Sequence, residues 1–515
     1  MVTSTQLTRR RFMALAATLG AAAGARVVAG ESSWGNLGAS PFTLGVASGD
    51  PLPSAVVLWT RLAPDPLSRD GMVARDFPVR WQVATDEHFR KVVRHGTATA
   101  SPRLAHSVHV DVRGLEPSRW YWYRFRTGSH ISPVGRTRTA PAFHSSPSRM
   151  RFAFTSCQNW QHGFYSAYEH LAGEDLEFIL HLGDYIYESG PLPGAPRTHE
   201  GPEVFDLEGY RNRHALYKTD PSLQAAHASC PFIVAFDDHE AVNNYAGDGL
   251  EGEAAASPEF LRRRAAAYQA YWEHLPLRRA SLPSAAHMSL YRRFDFGDLM
   301  RLNVLDTRQH RTPQPCRGSP GGCEEAHAPG ATMLGDEQEL WLRAGLADSR
   351  SHWNVMAQQT MMARLDLLPD SAHRFNMDQW DGYAAARHRL LDFVARTRTR
   401  NPMVLTGDMH SSWVADLKLD FDDPDSSTVA TELVGTSISS VSPTPFNLAV
   451  KAALPGNPHI RFFDGDFRGY ARCTVEPGSW RVEHRAVASA FAPRAPMFTL
   501  ASFDIEDGIP GAERA

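Results

Sequence analysis

With 515 residues, 43% of them hydrophobic and 10% aromatic, the chain has material for two or three packed domains and is neither a single small module nor a disordered polymer. Its formal charge of -4 becomes -8 once the first thirty residues are set aside, because they hold Arg9, Arg10, Arg11 and Arg26 and no acid, leaving 57 acids against 49 bases. That balance excludes general nucleic-acid binding, whose affinity rests on Lys and Arg neutralising many backbone charges.

Residues 8 to 30, TRRRFMALAATLGAAAGARVVAG, read as an arginine cluster, a mild apolar run and small residues near a cleavage point. This predicts a signal peptide over 1–30, because the run from Phe12 to Ala25 is too short and too rich in Gly and Ala to span a bilayer. The consecutive arginines resemble a twin-arginine signal, the alternative being an ordinary Sec signal with a basic start. A twin-arginine route implies the translocase as a partner during export, a folded passenger often loaded with metal, and a secreted, periplasmic or cell-wall-associated destination. No other stretch approaches a membrane span, so no transmembrane anchor is expected.

From Phe42 to about Ala140 short alternating runs (SAVVLWTRL, VRWQVATD, HSVHVDVRGL, WYWYRFRTG, SPVGRTRT) change to turn residues every eight to twelve positions. The pattern predicts a fibronectin-like β-sandwich over 36–143, with Trp120, Trp122 and Phe125 in its core. After the polar linker HSSPSR the pattern becomes α/β over 150–500. Strands are expected in RFAFTSC, EFILHLGD, FIVAFDDHE, MRLNVLDTR, WNVMAQQT and PMVLTGDMH, and helices over 163–172, 255–274, 335–349 and 383–397. The loop-like stretch 311–335 contains CRGSPGGC, where Cys316 and Cys323 have disulfide spacing, while Cys230 and Cys473 either pair or stay buried thiols. Gly508, Pro510 and Gly511 discourage an ordered helix in the tail 501–515.

The apolar strands end repeatedly in potential metal ligands: Cys157, Asp184, Asp237 with Asp238 and His239, and Asp408 with His410. Side chains leaving the carboxyl ends of strands in an α/β sheet converge on one crevice. A single Asp or His after a strand is most often a turn cap; four such ends point to one site. Gly–Asp alone is a weak signal, but GDYIY, DDHE followed by NNY, and GDMH, in that order and each after a strand, are specific. Ser48 and Ser411 lack a nucleophile elbow.

These motifs resemble the calcineurin-like metallophosphoesterases, and specifically the alkaline phosphatase D (PhoD) family. Cys157 in TSCQ stands at the superfamily's first Asp, Asp238 at the Asn of GNHE, Gln358 in VMAQ at the VxxH histidine and Asp408 at the first His of GHxH. GVASGDPLPSAVVLWTRL, YRNRHALYKTDP, VLDTRQHR and RGYARCTV extend the resemblance over roughly 42 to 485, leaving 311–335 and the residues past 490 outside it. It implies a four-layer α/β/β/α sandwich preceded by the fibronectin-like domain. One metal site would collect Cys157, Asp184, Tyr187 and His410, whose thiolate and phenolate suit Fe³⁺. A second would share Asp184 and add Asp238, Gln358 or Asn244, and Asp408, an all-oxygen set that favours Ca²⁺ over Zn²⁺. The resemblance implies the same pairing of iron with one or two calcium ions. It places Asp238 and His239 at the reacting centre, His239 either as general acid or electrostatic donor or, alternatively, as an orienter of a carboxylate. Glu240 and Asp237 read as supports, Arg211 and Arg308 as candidate phosphate clamps, and His162 as a histidine to line the site.

The expected activity is metal-dependent, in-line hydrolysis of phosphomonoesters or phosphodiesters without a covalent enzyme intermediate. The competing readings are a phospholipase D on the same centre and a non-catalytic surface protein whose sandwich module binds polymer.

Overall fold

The computed structural model describes residues 39–515 apart from 69–70, 254–255 and 370–372, so the signal peptide expected over 1–30 lies outside the described residues. Three parallel strands, Met150–Thr155, Phe178–His181 and Phe232–Val234, form the middle of a ten-stranded sheet. The antiparallel strands Arg468–Glu476, Ser479–Val487 and Met497–Glu506 extend it on one side. A seven-stranded sheet holds Met300–Val304, Trp353–Gln358 and Pro402–Thr406 in parallel register.

The apolar runs dictate the layering. Phe152, Phe154, Phe178 and Leu180 from the first sheet share one core with Leu302, Val304, Val355 and Leu405 from the second. On the outer face of the first sheet lie the helices Ser166–Ala172, Leu207–Lys218, Pro221–Ser229 and Pro258–His274, and on that of the second Gly335–Ala347, Ala384–Thr397 and Thr444–Ala453, giving the α/β/β/α order. Helix starts follow local chemistry: Asp220 accepts from the backbone of Ser222 and Leu223 with Pro221 next in the chain, and Ser257 caps Phe260 ahead of Pro258. Leu207–Lys218 carries no clear apolar stripe because its buried face includes Arg213, His214 and Lys218, which is why periodicity did not expose it.

The N-terminal segment packs Phe77–Ala84, Val92–Ala100, Trp120–Thr127 and Gly135–Arg138 against Val46–Leu52, Ala55–Arg61 and Ser107–Arg113. Tyr121, Tyr123 and Phe125 fill this core, whereas Trp120 and Trp122 take the opposite, half-buried face; the two-residue alternation corrects the expectation that both tryptophans are core. The second leaf of the sandwich is not separate from the α/β region. Gly49 bridges Phe232 in parallel, joining both regions in one sheet, and a Cβ on Gly49 would lie 2.6 Å from the Phe232 carbonyl oxygen. The 143/150 division therefore parts chain segments but not sheets. At the other end, Met497–Glu506 runs through the 500/501 division and pairs with Glu513–Arg514, so the tail is a sheet edge turning at its glycines. Cys316 and Cys323 are joined as a disulfide, while Cys230 and Cys473 are buried thiols in different cores.

Candidate active site

Strands of both sheets deliver their C-terminal ends to one place. Cys157 follows Met150–Thr155, Asp184 follows Phe178–His181, Asp237 and Asp238 follow Phe232–Val234, and Asp408 follows Pro402–Thr406. Leaving a sheet abruptly requires unusual backbone. Cys157, Asp184, Asn244, Asp408 and His410 all have φ between 52° and 58°, a left-handed conformation that is costly for Cys and His and recurs where structure over-determines a functional geometry. Gly183, at φ 106°, lets the chain pass Asp237: a Cβ there would sit 2.4 Å from the Asp237 Cβ.

Two overlapping donor groups result. Ligand atoms of Cys157, Asp184 and His410 lie within 4.8 Å of one another, as do those of Asp184, Asp237, Asp238 and Asp408. The Tyr187 hydroxyl donates to Asp184 Oδ2 at 2.8 Å, lies 3.0 Å from His410 Nε2 and accepts from Ser440 Oγ at 2.8 Å. Asp184 is fully buried and joins both groups, and its Oδ1 has no hydrogen-bond partner within the chain.

The electrostatics calls for cations. Asp237, Asp238, Asp378 and Asp408 surround Arg308, with Asp184 beside three of them, and Arg308, Arg311 and the neighbouring His239 offset these acids only in part. Uncompensated buried carboxylates are expensive and either bind cations or take up protons. Burial, opposed by Arg308, pushes Asp408 up to about 6 and Asp237 well above the usual carboxylate range. Burial together with Asp184 and Asp408 pushes the Cys157 thiol well up, and burial together with Asp184 does the same to Tyr187. A cation would stabilise the ionised forms of these groups, and Asp184 Oδ1 and Asp238 Oδ1 are buried without a hydrogen-bond partner, the latter with Arg308 at 3.5 Å. The donor set fits a thiolate- and phenolate-bearing site beside an oxygen-rich one.

Around this core stand the supports. Glu240 accepts the backbone N–H groups of Asp184 at 3.1 Å, Tyr185 at 2.5 Å and Asp237 at 2.9 Å, tying the two acidic turns together. His239 Nδ1 lies 2.8 Å from Glu188 Oε2, and its ring packs on Tyr187 with centroids 4.2 Å apart. Burial opposes protonation of His239, but Glu188, Asp184 and Asp238 outweigh it and hold the ring well above its ordinary pKa. Glu188, next to Tyr187 in sequence, escaped notice because it belongs to none of the motifs.

The remaining candidates have partners within the chain. The Gln358 oxygen accepts from the Trp380 indole at 2.8 Å, so this side chain presents an amide NH₂ rather than a ligand oxygen to the remaining space. Asn244 donates its amide to Glu251 at 2.9 Å, while its backbone N–H caps Asp238 at 2.6 Å. Neither candidate clamp is free: Arg211 forks onto Glu273 at 2.6 and 2.7 Å, and Arg308 is fully buried against Asp237 and Asp378. Asp378 and Gln379, which donates to Asp408 Oδ2 at 2.6 Å, come from an irregular segment with no strand before it and hence no sequence signal.

The family model described as PhoD-like phosphatase matches residues 152–484, and that described as PhoD-like phosphatase, N-terminal domain, matches residues 29–141. Alkaline phosphatase D of Bacillus subtilis (strain 168) is 50% identical over 479 residues, spanning 91% of this chain and 81% of that protein. A solved structure described as the structure of PhoD superposes with a TM-score of 0.89 at 48% identity, covering 93% of this chain and 92% of that one.

Proposed function

The chain belongs to the PhoD-like phosphatase family, and from that premise we propose that this phosphoesterase hydrolyses phosphomonoesters, phosphodiesters or both at a centre holding Fe³⁺ and Ca²⁺. The observation that carries the reading is Asp184, buried, with an unpartnered Oδ1, shared between a Cys157–His410 group and an Asp238–Asp408 group. Cys157, Asp184, Tyr187 and His410 would hold the ferric ion. Asp184, Asp238 and Asp408, with the Asn244 side-chain oxygen, would hold calcium.

When bound, the cations supply Lewis acidity toward the phosphoryl group and lower the pKa of water. The chain's own residues do the rest. Glu240 fixes the Asp184 and Asp237 turns, so the ligand carboxylates do not reorganise during the reaction. His239, held at Nδ1 by Glu188, would keep Nε2–H for the leaving-group oxygen and protonate it. The arginine cluster of residues 1–30 supports export through the twin-arginine translocase; among the described residues no helix is long and apolar enough to cross a membrane.

The test is hydrolysis of a chromogenic phosphomonoester, a simple diester and phosphatidylcholine by Ca²⁺-supplemented protein, with and without chelator. Cleavage abolished by the chelator supports the reading, and the ranking of rates selects phosphatase, diesterase or lipase. Metal-replete protein that cleaves none of them would overturn it in favour of a binding protein.

A further inference from the structure

His162 is tied through Val441 to His410 of the acidic site, yet belongs to neither donor group. The backbone N–H of Val441 donates to His162 Nδ1 at 3.2 Å, and the carbonyl of the same residue lies 3.2 Å from His410 Nδ1. One exposed residue thus clamps two imidazoles. The turn bearing His162 is fastened from both sides: Asn159 accepts from the backbone of Gln161 at 2.9 Å, and Ser439 and Ser440 bond the Asn159 carbonyl and N–H. Beyond it Gly163 passes so close to Ala490 that a Cβ would lie 2.6 Å from that carbonyl oxygen.

A ring nitrogen that accepts a hydrogen bond bears no proton, so neutral His162 carries its proton on Nε2. Burial, with the Arg468 guanidinium nearby, lowers the ring to about 4, in keeping with the neutral state that the Val441 N–H imposes. His239 differs in geometry: its Nδ1 faces the Glu188 carboxylate rather than a backbone N–H. An imidazolium can surrender a proton to a leaving oxygen. A neutral imidazole N–H, whose loss would create an imidazolate, serves only as a hydrogen-bond donor.

We propose that the Nε2–H of His162 donates to a non-bridging oxygen of the phosphoryl group in the transition state, stabilising charge without transferring a proton. This rests on the phosphoesterase reading. The experiment uses holoenzyme of wild type, H162N and H162Q, matched in metal content by elemental analysis. Asn keeps an acceptor near the Nδ1 position and removes the donor, whereas Gln returns an N–H near the Nε2 position. We expect H162N to lower kcat/KM for a series of aryl phosphates by roughly 100-fold, by the same factor whatever the leaving-group pKa. It should weaken inhibition by orthovanadate comparably, with H162Q recovering much of both. Wild-type rates and vanadate affinity in H162N overturn the inference, as does a loss that grows with leaving-group pKa, which would put the contact on the leaving oxygen. A wild type inert with every substrate and metal sinks the phosphoesterase reading itself, whereas an active wild type with an unaltered H162N sinks this inference alone.

Discussion

Arg308 donates through Nε to Asp237 at 2.5 Å with both side chains wholly out of water, and its NH1 reaches both oxygens of Asp378 at 2.8 and 2.9 Å. The residue that sequence offers as a phosphate clamp is instead the counter-ion of the acidic strand ends. R308M should therefore cost about 3–5 kcal/mol of stability, because it strands buried carboxylates. Adding D237N should recover part of that loss by removing one stranded charge. Urea unfolding of the two variants checks both; an R308M as stable as wild type would mean the pair is solvated.

Gly183 is where the backbone admits no side chain. At φ 106° with Asp237 Cβ 2.4 Å from an added Cβ, G183A must push apart the turns that carry Asp184 and Asp238. We expect at least a 100-fold loss of activity together with loss of bound metal, read by elemental analysis of purified protein.

The two donor groups make separable predictions for metal content. D184N removes the shared carboxylate and should deplete both kinds of cation. H410A should deplete the iron while retaining calcium, and D408N the reverse. Y187F should abolish visible absorption arising from a phenolate on Fe³⁺ while leaving calcium content unchanged. Equal iron in wild type and H410A would contradict the proposed division.

Stability should also report a buried lysine that pairs with no carboxylate in the acidic cluster. Lys218 is 2% exposed, with Nζ 4.4 Å from the Trp59 ring centroid and 5.4 Å from that of Tyr185, and burial lowers it from 10.5 to about 7. Between those values the unfolded chain binds the proton that the folded chain releases. Lys218 therefore makes stability rise with pH from about 7 to 10.5, and this gain is lost as pH falls through 7. The slope reaches at most about 1.4 kcal/mol per pH unit. K218M should lack this component, which shows as a pH-dependent difference between the two proteins in urea unfolding. Parallel pH profiles would mean that the ammonium is solvated.

Much of the site is legible in the chain because its chemistry is local. An apolar run followed by Gly–Asp or Asp–Asp states at once that a strand ends and that a carboxylate turns away from the sheet, and this recurs at Asp184, Asp238 and Asp408. The disulfide was equally legible, since only six residues in a Gly/Pro loop separate Cys316 from Cys323 and bring them together without outside help. The β-alternation of the N-terminal segment announced its sandwich, though which aromatics faced inward depended on register, and Tyr121, Tyr123 and Phe125 took the core.

By itself, then, the sequence determined the order of strand-end donor residues, the two kinds of architecture and the family, because period, turn chemistry and short motifs are properties of neighbouring residues. Tertiary structure alone decided that Arg308 neutralises the acids, that the Gln358 oxygen is spent on Trp380, that Glu188 and Val441 orient the histidines, and that Gly49 joins the sandwich to the catalytic sheet at Phe232. These are hydrogen-bond and charge pairings between distant segments. They are chosen by which buried groups must satisfy one another once two sheets have closed, and no local pattern records that choice.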